Sequence, residues 1–152
     1  MEAATVGRIL VSAKIENNYD LENLARGLVS NEEVRRIEVE DTRIDTGATY
    51  LAMSKHMIDQ LGFRKLRTSL AKTAAGTASF GVYGPARLTV QGRECIIEVS
   101  ELADDCPVLV GVIPLELLDF VVDPQGQRLI GNPDHGGEWM IDMYLHAVDK
   151  SF

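Results

Sequence analysis

One short segment constrains this chain more than any other. Asp45-Thr46-Gly47-Ala48-Thr49 follows a run with strand chemistry from Val34 to Ile44. It places a carboxylate at a strand end, a hydroxyl beside it, and then a glycine whose missing β-carbon lets another backbone or a bound molecule come close. Asp, Thr and Gly are all common in turns, so the tripeptide alone reads equally well as a strand-ending loop. A second element downstream changes the balance. Val108-Leu109-Val110-Gly111 is a short apolar strand closed by glycine, and Val112 to Leu118 is helix-like. Asp45 and Gly111 are 66 residues apart, which leaves room for a hairpin and several strands between them.

The chemistry open to such a loop depends on number. One carboxylate does little for peptide hydrolysis. Two facing each other can share a proton, one acting as base on a water while the other donates to the carbonyl. Only one Asp-Thr-Gly occurs in the sequence, so a pair requires two chains.

On Ile44-Asp45-Thr46-Gly47-Ala48-Thr49, on Val108-Leu109-Val110-Gly111 with its following helix, and on the distance between them, the chain resembles the retropepsin-like aspartic proteases. These are single-lobe relatives of the retroviral proteases that also occur in bacteria, and the resemblance suggests a bacterial single-domain member. It extends, less specifically, over about residues 5–133, and the paired motif is stronger than either half. The resemblance implies an all-β lobe, closed and barrel-like, with one or two short helices and an active site formed by homodimerisation. It implies an aspartic endopeptidase working by general acid–base hydrolysis, with no covalent intermediate, metal or cofactor. Asp45 of each chain would hold one water, and Thr46 would tie the two loops across the dimer. Gly47 would allow close approach and steady the carboxylate through its N–H. Ala48 and Thr49 would shape the loop, with the Thr49 hydroxyl turned back to backbone, and Gly111 would support it from below.

Composition fits one domain spanning residues 1–152, with 134–152 as a C-terminal extension or interface arm. A chain of this length buries a core without staples, and 45% hydrophobic with 25% charged residues is ordinary. A net charge of −8 argues against nucleic acid or an anionic membrane as partner, since phosphates call for Lys and Arg. No apolar run reaches the ~18 residues that span a bilayer, and the N-terminus lacks a signal-peptide pattern. A cytoplasmic location with Cys95 and Cys106 as free thiols is the expectation.

Along the chain, Val6 to Ile15 reads as a first strand and Asp20 to Arg26 as a short helix closed by Gly27. Ser30 to Glu33 has the shape of a capping box. Ser54 caps a helix to about Leu61, ended by Gly62. Phe63 to Thr73 and Ala78 to Val90 are strands joined by Ala74-Ala75-Gly76-Thr77, where the family carries its flap. Gln91-Gly92 turns into Arg93 to Val99, and Phe120 to Ile130 forms another hairpin.

Lys72, Gly76 and Phe80 are candidate substrate contacts on the flap, and Tyr83 is either a flap-base aromatic or, more in keeping with its type, a core tyrosine. Arg43 stands where the family has a strongly apolar residue. Two before Asp45 on a strand, it points the same way as Asp45. It either faces the substrate channel or swings to solvent at a sheet margin. The run from Glu138 to Tyr144, with Trp139 as anchor, is an interface strand or a packed arm. His56, His135 and His146 show no metal spacing, and His135 reads as a loop histidine. Two function classes stand: an endopeptidase acting on peptide or protein substrates, and a non-catalytic peptide-binding or dimerisation module.

Overall fold

The structure, a computed structural model, describes residues 8–143. Its first strand, β1 (Ile9–Asn17), buries Ile9, Val11, Ala13 and Ile15 at every second position while Leu10 and Ser12 face outward. That is the period of a half-buried strand. It pairs antiparallel with β2 (Arg36–Ile44), and between them lie helix α1 (Asn18–Ala25) and a 3-10 turn at Asn31–Glu33. Asn17 fixes this corner twice. Its side-chain oxygen accepts from Asp20 N at 3.1 Å to cap α1, and its amide nitrogen, buried, donates to Leu61 O at 2.8 Å. The Asp20 carboxylate also clamps Arg35 at 2.9 Å.

The remaining elements are β3 (Leu51–Ser54), α2 (Lys55–Gln60), β4 (Arg64–Thr73), β5 (Gly76–Val90), β6 (Arg93–Leu102), β7 (Leu109–Val110), α3 (Val112–Leu118), and the hairpin of β8 (Phe120–Asp123) with β9 (Arg128–Gly131). The main sheet runs β1-β2-β7-β3-β6-β5-β4, and β5 also pairs with β1 through Ala86–Thr89. Six strands therefore close into a ring, which removes their free edges. The seventh, β4, stands outside it and pairs only with β5. The mostly-β, single-lobe, closed architecture expected from the sequence is present, with three short α-helices among the described residues where one or two were expected.

Two features of this topology place the site. First, β7 is inserted between β2, to which it is parallel, and β3, to which it is antiparallel. The segment linking β2 to β3 must therefore cross over the end of β7. Second, β5 changes partner along its length, from β4 up to Gly84 to β1 from Ala86. The change falls at Gly84-Pro85, a cis peptide, where the register with β6 slips. Pro85 has no N–H to give a ladder. The β4–β5 hairpin consequently projects from the barrel.

The core fills the ring. Ile15, Leu51, Met53, Leu88, Val99 and Val110 meet inside it, with Ile58 and Leu61 from the α2 corner and Leu115 and Leu118 from α3. Ser54 caps α2 through Met57 N at 3.3 Å, as the sequence promised. The strand before it, β3, was not anticipated. All four of its residues are buried, so it shows no alternation to read. Gln91 and Gly92, both at positive φ, form the expected β5–β6 turn. Cys95 and Cys106 are free thiols, and burial pushes Cys95 up to about 11. No described helix is long and apolar enough to cross a membrane.

Candidate functional site

The crossing over β7 is the Asp45 loop. β2 delivers it: Arg43 N donates to Val108 O and Asp45 N to Val110 O, each at 2.9 Å. The chain then turns back on itself. Ala48 N donates to Asp45 O at 3.0 Å, and Gly47 N donates to the Asp45 carboxylate Oδ1 at 2.9 Å. This hydrogen bond from the backbone orients the Asp45 side chain at the tip of the loop. The underside is held by the start of α3. Gly111 N donates to Tyr50 O and Val112 N to Ala48 O, both at 2.9 Å, and Ile113 N donates to Thr49 O at 3.0 Å. Thus the free N–H groups at a helix start satisfy carbonyls of an irregular loop that has no strand partner of its own.

Beside this loop lies a cleft of about 310 Å³, walled by Ala48, Thr49, Ala52 and Leu109 on the barrel side and by Ala78 and Phe80 of the projecting hairpin. The hairpin tip is made by Thr73, whose hydroxyl donates to Gly76 O at 2.6 Å and accepts from Ala75 N at 3.2 Å. Glu101 at the end of β6 closes one side, and its Oε1 accepts from Tyr83 OH at 3.0 Å. Tyr83 is buried, and burial, then its hydrogen bond to Glu101, raises its pKa, so it stays a donor. A more polar hollow of about 390 Å³ adjoins the first and shares Phe80 and Glu101 with it.

A second polar cluster sits at the far end of α3. Asp119 ends that helix in the left-handed conformation and is buried. Its carboxylate takes His135 Nδ1 at 2.6 Å, Asn132 Nδ2 at 3.2 Å and Met140 N at 3.2 Å. His135 Nε2 reaches Asp142 at 2.9 Å. Asp119 first and Asp142 second raise the His135 pKa, and His135 is the main cause that lowers Asp119. Arg93 completes the corner, donating to Leu118 O at 2.9 Å, Asp119 O at 2.8 Å and Gly137 O at 2.7 Å with its guanidinium over the Phe120 ring. Residues 138–143 are all exposed and are tied to this corner by hydrogen bonds, with Trp139 Nε1 donating to Leu117 O at 3.2 Å.

Of the residues singled out in the sequence, the fold joins Asp45, Gly47, Ala48, Thr49 and Gly111 into one hydrogen-bonded unit, with Thr46 exposed at its tip. Thr49 is tied through its carbonyl rather than its hydroxyl. Phe80 lines the cleft, whereas Gly76 and Lys72 stand on the exposed outer hairpin away from its walls. Arg43 lies neither in the cleft nor at a sheet margin. β2 is an interior strand, and Arg43 is half-buried between Leu10 of β1 and Leu109 of β7. Its Nε is buried with no hydrogen-bond partner among the described residues. Tyr83 is a core residue. His135, read as a loop histidine, is a bound one. Val6, Gly7, Tyr144 and His146, and the arm beyond residue 143, lie outside the described residues. Glu101 and Asp119 escaped the sequence reading because their partners come from other strands and turns.

No protein-family model matches the chain, and no curated protein matches it. Among solved structures, the solution structure of the simian foamy virus (mac) protease is similar at a TM-score of 0.45 and 22% identity, over 72% of this chain and 93% of that one.

Proposed function

We propose that the protein is an aspartic endopeptidase of the retropepsin-like kind, in which two copies of the chain each contribute Asp45 to hydrolyse a peptide bond. The observation that carries this reading is the Asp45 loop: a carboxylate oriented by Gly47 N–H at 2.9 Å, on a loop fixed by three hydrogen bonds from the Gly111–Ile113 segment. The loop adjoins a cleft overhung by a projecting hairpin. A carboxylate held so rigidly, on a tip open to solvent, fits work on an incoming group better than a role in packing. The chain has one such loop, so the pair comes from a homodimer.

In the dimer the two carboxylates share one proton, because adjacent carboxylates do not both ionise cheaply. The ionised Asp45 takes a proton from the water between them as that water attacks the peptide carbonyl. The protonated Asp45 of the other chain donates to the carbonyl oxygen, giving a tetrahedral gem-diol. The same pair then returns a proton to the leaving nitrogen as the C–N bond breaks. Thr46, exposed beside each aspartate, would bind across the two loops. An extended substrate would lie between the loop and the β4–β5 hairpin, its backbone pairing with hairpin backbone.

A binding module without turnover is the second reading, and one observation favours it. The cleft is lined by residues of one chain, and Asp45 is not among them. Cleavage of an unbiased peptide library from acidic to neutral pH, with wild type and Asp45→Asn sized in parallel, separates the two. Hydrolysis by a dimeric wild type that Asp45→Asn abolishes is the expected result. A stable wild-type dimer that cleaves nothing at any pH leaves only the binding module.

A further inference from the structure

The cleft beside the Asp45 loop is largely apolar, with Thr49, Tyr50, Ser79 and Ser100 as neutral polar lining and a charge at one place only. Ala48, Ala52, Leu109 and Phe80 supply a hydrocarbon surface, and Glu101 is the only carboxylate lining either this cleft or the polar hollow next to it. Its position is built. Tyr83 OH, on a buried ring, holds Oε1 at 3.0 Å. Gly81 makes the space for that pair, since a β-carbon there would stand 2.6 Å from the Tyr83 ring and 3.1 Å from Glu101 Oε1. Glu101 forms no ion pair among the described residues. Of the cations near it, Lys55, over the Tyr83 ring, is bound to Asp59 at 2.7 Å and acts on Glu101 only through space, and Lys65 lines the outer hollow but not the cleft.

An oriented, half-buried carboxylate that forms no ion pair among the described residues, at the rim of a largely hydrocarbon slot, matches one side-chain chemistry. The partner has an apolar stem several carbons long and a cationic head, because the stem replaces water on the slot walls while the head reaches the carboxylate. We infer that Glu101 is a specificity-determining residue, selecting peptides that place a lysine or arginine in the cleft beside the Asp45 loop. Tyr83 positions Glu101, and Gly81 leaves room for both. The inference rests on the reading of this cleft as a peptide site, but it does not require hydrolysis.

The test therefore reads binding. Extended octapeptides that differ at one scanned position, carrying Lys, Arg, Met, Gln or Glu, are titrated by fluorescence anisotropy against the full chain with Asp45→Asn. Peptides with Lys or Arg at one position should bind about tenfold more tightly than those with Met or Gln, as expected for a hydrogen bond to a charged group. The preference should vanish in Glu101→Gln, which keeps an acceptor for Tyr83, and turn towards Glu in Glu101→Lys. Binding that ignores the charge at every position overturns the inference and leaves the peptide site standing. A lysine preference that depends on Glu101, in a protein whose wild type cleaves nothing, upholds it and removes the endopeptidase. No binding by any peptide overturns both.

Discussion

Gly111 lies so close beneath Ala48 that a β-carbon on it would stand 2.6 Å from the Ala48 carbonyl oxygen, and equally near that of Tyr50. The same two carbonyls accept from Val112 N and Gly111 N at 2.9 Å. The Asp45 loop and the start of α3 are thus in backbone contact, with no room for a side chain between them.

Gly111→Ala should accordingly push the loop off α3. Backbone that cannot yield makes this an overpacking change, with an expected cost of about 1–3 kcal/mol in denaturant unfolding. Cleavage should fall further than stability, because the Asp45 carboxylate moves with the loop. Gly92→Ala is the control: nothing lies within 4 Å of a β-carbon there, so its cost is backbone strain at φ +82 without loop displacement.

Arg93 holds three backbone carbonyls from two segments, those of Leu118, Asp119 and Gly137. Lysine cannot reproduce this fork. Arg93→Lys should cost about 1–3 kcal/mol, the range for part-buried acceptors left unpaired. In the arm at residues 138–143, the amide of Met140, which donates to the Asp119 carboxylate, should lose protection from exchange.

The arm also depends on pH through His135, which faces Asp119 and Asp142, with Arg93 on the adjoining carbonyls. The His135 pKa is raised above its ordinary 6.5, so its contribution is complete below that value and is lost as pH rises through the higher folded value. The Asp119 pKa is lowered below its ordinary 3.8, so its contribution is present above 3.8 and is lost as pH falls through the lower folded value. The arm is held best between about pH 4 and 6.5, the two ordinary values. Trp139 fluorescence should be constant across that window and change above it, and His135→Gln should abolish the alkaline change. A flat profile in wild type would contradict the arrangement.

Arg43 buries a guanidinium nitrogen without a partner among the described residues, two positions before Asp45. Replacing such a group with a hydrocarbon of similar length is close to neutral. Arg43→Met should leave the unfolding midpoint unchanged or raise it slightly. If the second chain supplies the missing partner, the same variant should weaken dimerisation in sedimentation. A large loss of stability in the monomer would instead show that Arg43 is satisfied at home.

What the sequence disclosed follows range. The Asp45 loop, the Ser54 cap, the Gln91-Gly92 turn and the Thr73–Gly76 tip are each written within a few adjacent residues. β3 carried no period because both of its faces are buried. The insertion of β7 between β2 and β3 joins residues some sixty apart, and the motif pair hinted at it only through Gly111. Tyr83 and Glu101 meet because Tyr83 opposes Val99 across the β5–β6 ladder, which puts Glu101 at the diagonal position. A register slip at Gly84-Pro85 separates that pairing from the β5–β6 turn, and no local pattern predicts which side chains it brings opposite one another. Asp119 drew no reading in the sequence and His135 read as a loop residue, and they meet because the β8–β9 hairpin returns the chain to the end of α3.

The central claim is that two Asp45 carboxylates act together, and subunit mixing tests it most directly. Wild type is refolded with a ninefold excess of Asp45→Asn, and peptide cleavage is measured per wild-type chain. If activity requires two intact chains, random pairing leaves about one tenth of it. Activity per wild-type chain that is unaffected by the excess would mean that a single Asp45 suffices, and would contradict the account.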